Sequence, residues 1–170
     1  MRVYILGAGA SLHAGYPLMN RLCSCLLDWI EVPSQPGLPS LSGADKIELR
    51  GLLSSCNNIE AVFTELAHPE VCGGIQPDEA RHRNELLQVL IEEVCAYFDS
   101  IRIKHRAPFY ERLALSGIED GDCIITFNYD TSLERELKSV GKWSVSNGYG
   151  FGVEIPSVPP SPVTVLKLHG

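Results

Sequence analysis

The spacing of apolar residues changes several times along the chain, and each change marks an element. Arg2 to Leu6 is a short run rich in Val, Ile and Tyr, which predicts a central strand covered on both faces. From Pro17 through Ile30 the apolar positions Leu18, Leu22, Leu26 and Ile30 fall four apart, as on one face of a helix with proline in its first turn. Pro33, Pro36 and Pro39 then hold a loop open. "ADKIELRGLLSSC" and "NNIEAVFTELA" are short amphipathic helices, the second opened by a cap at Asn57 or Asn58. After the breaker-rich "HPEVCGGIQP" comes the longest helix, Asp78 to about Lys104, with Leu86, Leu90, Val94, Phe98 and Ile101 in one stripe. "APFYERLALSG" adds a further helix ended by Gly117.

Beyond Gly117 the period shortens. "DCIITF" is a compact β-branched run ending in "NYD", and "TSLERELKSVG" is helical until Gly141. "WSVSNGYGFGVEIPSVPPSP" is turn-rich, its "NGYGF" portion reading as a surface turn, and "VTVLKL" is a further strand. Strand, loop, helices, strand, loop, helix and strand in that order predict an α/β fold with a Rossmann-like parallel sheet. A helical insertion, about residues 41–117, separates the first strand from the second.

Composition narrows the class. The 170 residues are 45% hydrophobic and 21% charged, enough apolar content for one domain, 1–170, with a buried core. A net charge of −7 opposes sequence-independent binding to nucleic acid. No apolar stretch reaches the length of a membrane span, and the start reads as a strand rather than an export signal. The six cysteines form no C-x-x-C pair, Cys95 and Cys123 sit in apolar runs where burial is expected, and the five histidines lack ligand spacing. No metal is expected, and reduced thiols point to the cytoplasm. Glu92, Glu93, Glu134 and Lys138 read as solvated helix faces.

The candidate chemistry lies where strands end. In an open parallel sheet the ligand crevice forms beyond the carboxyl ends of strands, so "GAGAS", "FNYD" and "HG" should converge. Gly7 and Gly9 let backbone amides approach a pyrophosphate, yet counting G-x-G-x-x-G from Gly7 reaches Leu12, and the next glycine is Gly15. Ser11 either caps a turn or reaches a phosphate oxygen. Asn128 orients a water or sugar hydroxyl and Asp130 accepts an amide or hydroxyl hydrogen bond, or Asp130 or Thr131 simply caps the following helix. His169, at a strand end, is a candidate general base, whereas His13, His68, His82 and His105 read as structural.

Taken in order, "GAGAS…GYP…FNYD…KLHG" resembles the sirtuin-like NAD-consuming domains, in particular the bacterial branch found in antiphage defence proteins, and "NIEAVFTEL" and "NGYGF" are similar to segments of that branch. The resemblance implies NAD+ as substrate, cleaved to nicotinamide and ADP-ribose, and a role in defence by NAD depletion. It places Gly7, Ala8, Gly9, Ala10 and Ser11 on the phosphates and nearby ribose, with Gly15, Tyr16 and Pro17 on the nicotinamide side. Phe127 falls within its nucleotide-binding "FNYD" block. It makes Asn128 the residue that orients ribose and the attacking water, Asp130 the reader of the carboxamide, and His169 the histidine acting on a ribose hydroxyl. The four-cysteine zinc module and the acidic-aromatic-arginine segment of protein-deacylating members are missing, with Leu18, Met19 and Asn20 in the latter place. That favours hydrolysis over deacylation, while a non-catalytic NAD or ADP-ribose sensor uses the same loop. Family members continue with further strands that hold the adenosine half, so the sheet is expected to be truncated after its third strand. C-terminal effector or sensor domains and a homo-oligomer are compatible partners.

Overall fold

The computed structural model describes residues 1–32, 42–68, 76–150 and 161–168. Three parallel strands, β1 (Val3–Leu6), β2 (Cys123–Thr126) and β3 (Thr164–Lys167), form a sheet in that order. The helices are α1 (Met19–Glu31), α2 (Gly43–Ser55), α3 (Ile59–Ala67), α4 (Pro77–Lys104), α5 (Pro108–Arg112) and α6 (Ser132–Ser139). A 3-10 helix follows β1 over Ala8–Ala14, and a wide π turn, Leu113–Gly117, extends α5. The mixed α/β class is as expected, with helices α1 to α5 between the first two strands.

The chain forms two compact units, Met1–Tyr16 with Ile101–Gly170, and Pro17–Ser100. The second has its own apolar core. Leu22, Leu26 and Ile30 of α1 pack with Leu49 and Leu53 of α2, Ile59, Val62 and Leu66 of α3, and Leu86, Leu90 and Val94 of α4. The fourfold spacing read in α1 and α4 thus marks the buried faces, except that α1 begins only at Met19, so Leu18 precedes the helix and is exposed. Ser42 and Asn58 cap α2 and α3 by accepting the backbone N–H of Asp45 and Glu60, so Asn58 rather than Asn57 is the cap. Two expectations on α4 are corrected. Glu93 is buried, not solvated, because the Trp29 indole N–H donates to it at 2.8 Å. Cys95 is exposed, since it lies about 100° around the helix from buried Val94.

In the first unit β2 is the inner strand and β1 an edge, which corrects the reading of β1 as central. Val3 is 55% and Ile5 70% exposed, while the opposite face holds Ile124, Val165 and Thr126 buried. The apolar run marked a strand but carried no sign of its place in the sheet order. Asp122, just before β2, ties the two strands' starts together. It accepts the Arg2 backbone N–H at 2.7 Å, the Arg2 guanidinium at 2.8 Å and the Glu119 backbone N–H at 3.0 Å. The Arg2 side chain first, and then the Glu119 amide, hold this carboxyl well below the usual carboxylate range. Lys142 donates to the carbonyls of Ala114 and Ile118, satisfying the π turn. Gly148 fits because a Cβ there would meet the Trp143 indole, and its carbonyl accepts from Val165 of β3.

Candidate functional site

Beyond the end of β1 the backbone stays extended at Gly7, then turns as the Ala10 N–H bonds the Gly7 carbonyl at 2.9 Å. That turn carries Gly7 and Gly9 outward, leaves Ala8 and Ala10 half-buried, and drives Ser11 inward to 1% exposure. A Cβ at Gly7 or Gly9 would meet nothing within 4 Å. Gly15 differs: its φ of 87° is left-handed and its Cβ position lies 3.1 Å from the His105 ring, so local structure accounts for this glycine. Tyr16 is buried with its hydroxyl accepting from Ser132 Oγ at 3.3 Å. Pro17, half-buried, opens the other unit.

Beyond β2, Phe127 is half-exposed while Asn128 and Asp130 are buried. The Asn128 backbone N–H bonds Thr126 Oγ1, folding the chain so that its side chain meets the β1 loop. Asn128 Nδ2 lies 2.8 Å from Ser11 Oγ and 3.1 Å from the Tyr110 hydroxyl. Ser11 Oγ donates to Asp130 Oδ2 at 2.6 Å and sits 2.8 Å from the Tyr110 hydroxyl. Asp130 Oδ1 accepts the Ser132 backbone N–H at 3.0 Å, so Asp130 caps α6 as well. Thr131 makes no side-chain cap.

Counting hydrogens fixes the direction of these bonds. The single Ser11 proton goes to the carboxylate at a distance typical of a charge-assisted bond. Tyr110 must then donate to Ser11, and the Asn128 amide nitrogen donates toward the Ser11 and Tyr110 oxygens, which lie side by side 2.8 Å apart. What is left is Asn128 Oδ1, a buried acceptor with no partner among the described residues. An unmet buried acceptor costs about 1–3 kcal/mol, and Glu134 Oε2, in the group described next, is a second such acceptor among the described residues. Burial pushes the Tyr110 phenol up to about 12, keeping its hydroxyl a donor at neutral pH.

A second group adjoins the first through Asp130. Lys167 Nζ, at the end of β3, donates to the Asp130 carbonyl at 2.6 Å and pairs with Glu134 Oε1 at 3.0 Å. Glu134 is 3% exposed, which corrects its reading as a solvated residue. Such a buried pair is worth little net, but removing one partner strands the other charge. Tyr149 donates to the same carboxylate at 3.4 Å, and burial pushes its phenol up to about 12.

Ser11, Asn128 and Asp130 therefore meet beyond the ends of β1 and β2, with the Ser11 proton turned inward to Asp130 rather than outward, and Gly7 to Ala10 lead into them. His169 lies outside the described residues. Tyr110 and Lys167 were not singled out by the sequence. For Lys167 a signal existed: it shares a strand face with buried Val165, so its ammonium had to find partners inside. Tyr110 stands in an amphipathic helix, where a buried tyrosine hydroxyl also needs a partner, but nothing named Ser11 as that partner.

Among the described residues no three His, Cys, Asp or Glu side chains gather to hold a metal ion, and no helix is long and apolar enough to cross a membrane. No protein-family model, curated protein or solved structure matches the chain.

Proposed function

We propose that the first unit is a Rossmann-like, sirtuin-related NAD+ glycohydrolase that releases nicotinamide and ADP-ribose, serving defence by NAD depletion. The observation that carries the reading is the buried Asn128 amide, held between the β1 loop and α5 with Oδ1 as its one unmet acceptor. Cleavage breaks the bond between ribose C1′ and the pyridinium nitrogen, and its electron pair neutralises the nicotinamide ring. An oxocarbenium-like sugar is left, which water attacks with loss of a proton. The leaving group departs neutral, so no strong acid is needed. Placing the water or a ribose hydroxyl is the main task, and an amide oxygen fixed in a desolvated cluster suits it. His169, in the sequence just beyond β3, is the proposed partner on a ribose hydroxyl.

The test is incubation of the chain, with any further encoded domains, with NAD+ while nicotinamide release is followed. Asn128→Ala and His169→Ala are each expected to lower kcat by about a hundredfold or more. Turnover that survives both substitutions would refute the assignment. Saturable ADP-ribose binding without turnover would make the site a sensor, and NAD-dependent removal of an acyl group from a lysine peptide would make it a deacylase.

A further inference from the structure

Resting on the hydrolase reading, one more residue gains a role. The Tyr110 hydroxyl is buried, belongs to α5 rather than to any strand end, and touches both Ser11 and Asn128. We propose that Tyr110 is a positioning residue: with Ser11 it holds the nitrogen end of the Asn128 side-chain amide and so fixes Oδ1 as the acceptor turned toward a water or sugar hydroxyl.

The opposite amide orientation is the alternative to exclude. It would place the oxygen at the position 2.8 Å from Ser11 Oγ, whose only proton is already engaged by Asp130. Two lone-pair-bearing oxygens would face each other there, and Tyr110 could donate to the flipped oxygen only by withdrawing its proton from Ser11, whose oxygen would then accept from neither neighbour. The orientation with Nδ2 toward Ser11 and Tyr110 satisfies both donors and leaves one acceptor open. Asp130 sets the direction of the Ser11 hydroxyl, and Tyr110 supplies the second anchor that stops the amide turning over. His13 packs edge-on to the Tyr110 ring with centroids 5.2 Å apart, and Phe109 lies 5.5 Å from His13. The phenol is thus held by ring contacts as well as by its hydroxyl. The hydroxyl is therefore replaceable without emptying the ring's place, which makes Tyr110→Phe an informative variant.

The experiment has two readouts on the full chain. In steady-state NAD+ cleavage, Tyr110→Phe should lower kcat about tenfold or more while KM stays within about twofold, as expected for a misplaced rather than missing group. In an Asn128→Ala background the same substitution should add little, because the hydroxyl acts through the amide. In the ligand-free protein, the Asn128 side-chain NH2 resonances should be separated and protected from exchange. In Tyr110→Phe they should move toward the values of a solvated amide. Ser11→Ala should shift the same pair, which covers the case in which Tyr110→Phe fails to fold. Unchanged Asn128 resonances or an unchanged kcat in folded Tyr110→Phe, or unchanged resonances in Ser11→Ala where Tyr110→Phe does not fold, would overturn the proposal. If the wild type releases no nicotinamide, the hydrolase reading fails, and the amide resonances alone decide the role of Tyr110.

Discussion

At the residue scale, the phenol of Tyr110 makes the cluster's burial measurable. In the unfolded chain it titrates near the ordinary phenol value of 10.0, whereas burial holds it at about 12 in the fold. Below pH 10 both states keep the proton and Tyr110 adds no pH dependence. Between about 10 and 12 the unfolded chain releases protons that the folded chain retains, so stability falls as pH rises across that window. Tyr149 contributes in the same direction for the same reason. Tyr110→Phe removes only the Tyr110 share, so the difference between wild type and variant isolates it. Denaturant titrations from pH 9 to 12 should show the wild type losing about 2 kcal/mol more than the variant. Parallel pH profiles would mean that the phenol is not buried as described.

At the element scale, the turn after β1 separates glycines that the fold requires from glycines that a ligand would require. Gly15 holds a left-handed backbone against the His105 ring, so Gly15→Ala should destabilise by about 1–2 kcal/mol. At Gly9 the backbone is not left-handed and a methyl meets nothing, so Gly9→Ala should stabilise by about 0.4–1 kcal/mol. If backbone amides there approach a pyrophosphate, the same methyl should raise KM for NAD+ about tenfold, equivalent to about 1.4 kcal/mol. Thermal melts and steady-state kinetics on the two variants give opposite patterns, and a Gly9→Ala enzyme with unaltered KM would remove the phosphate role from this loop. The contrast also shows what could be read without coordinates. Local period exposed α1 to α4, β2, β3 and the residues converging at strand ends, because each is written within one or two turns of chain. The edge place of β1, the burial of Glu93 and the burial of Glu134 are not local. Their causes are partners far along the chain, Trp29 at 64 residues from Glu93 and Lys167 at 33 from Glu134, and a carboxylate on a helix reads as solvated until such a partner is known.

At the scale of the whole molecule, charge decides how an anionic dinucleotide meets the site. The chain carries −7, and the described cluster adds the carboxylates of Asp130 and Glu134 against one ammonium, Lys167. A long-range field of that sign repels the pyrophosphate of NAD+, so affinity has to come from short contacts with backbone amides and hydroxyls. Raising salt from about 0.01 M to about 0.15 M shortens the screening length from about 30 Å to about 8 Å, which weakens the repulsion and leaves short contacts largely intact. KM for NAD+ should therefore stay level or fall over that range, and duplex DNA should not be retained at the upper end. One local feature opposes the trend. Arg102, Lys104, Arg106 and Arg135 line a cleft of about 420 Å³ in the first unit, with Glu111 and Glu136 as the facing carboxylates. Arg102 and Lys104 stand in the last turn of α4, where basic side chains complement the helix dipole, and Arg135 pairs with Glu136 at 2.8 Å. On that account their charge is spent locally and does not steer substrate. A KM that rises steeply with salt would reverse this conclusion and shift phosphate recognition from the amides of the β1 turn to the arginines of the cleft.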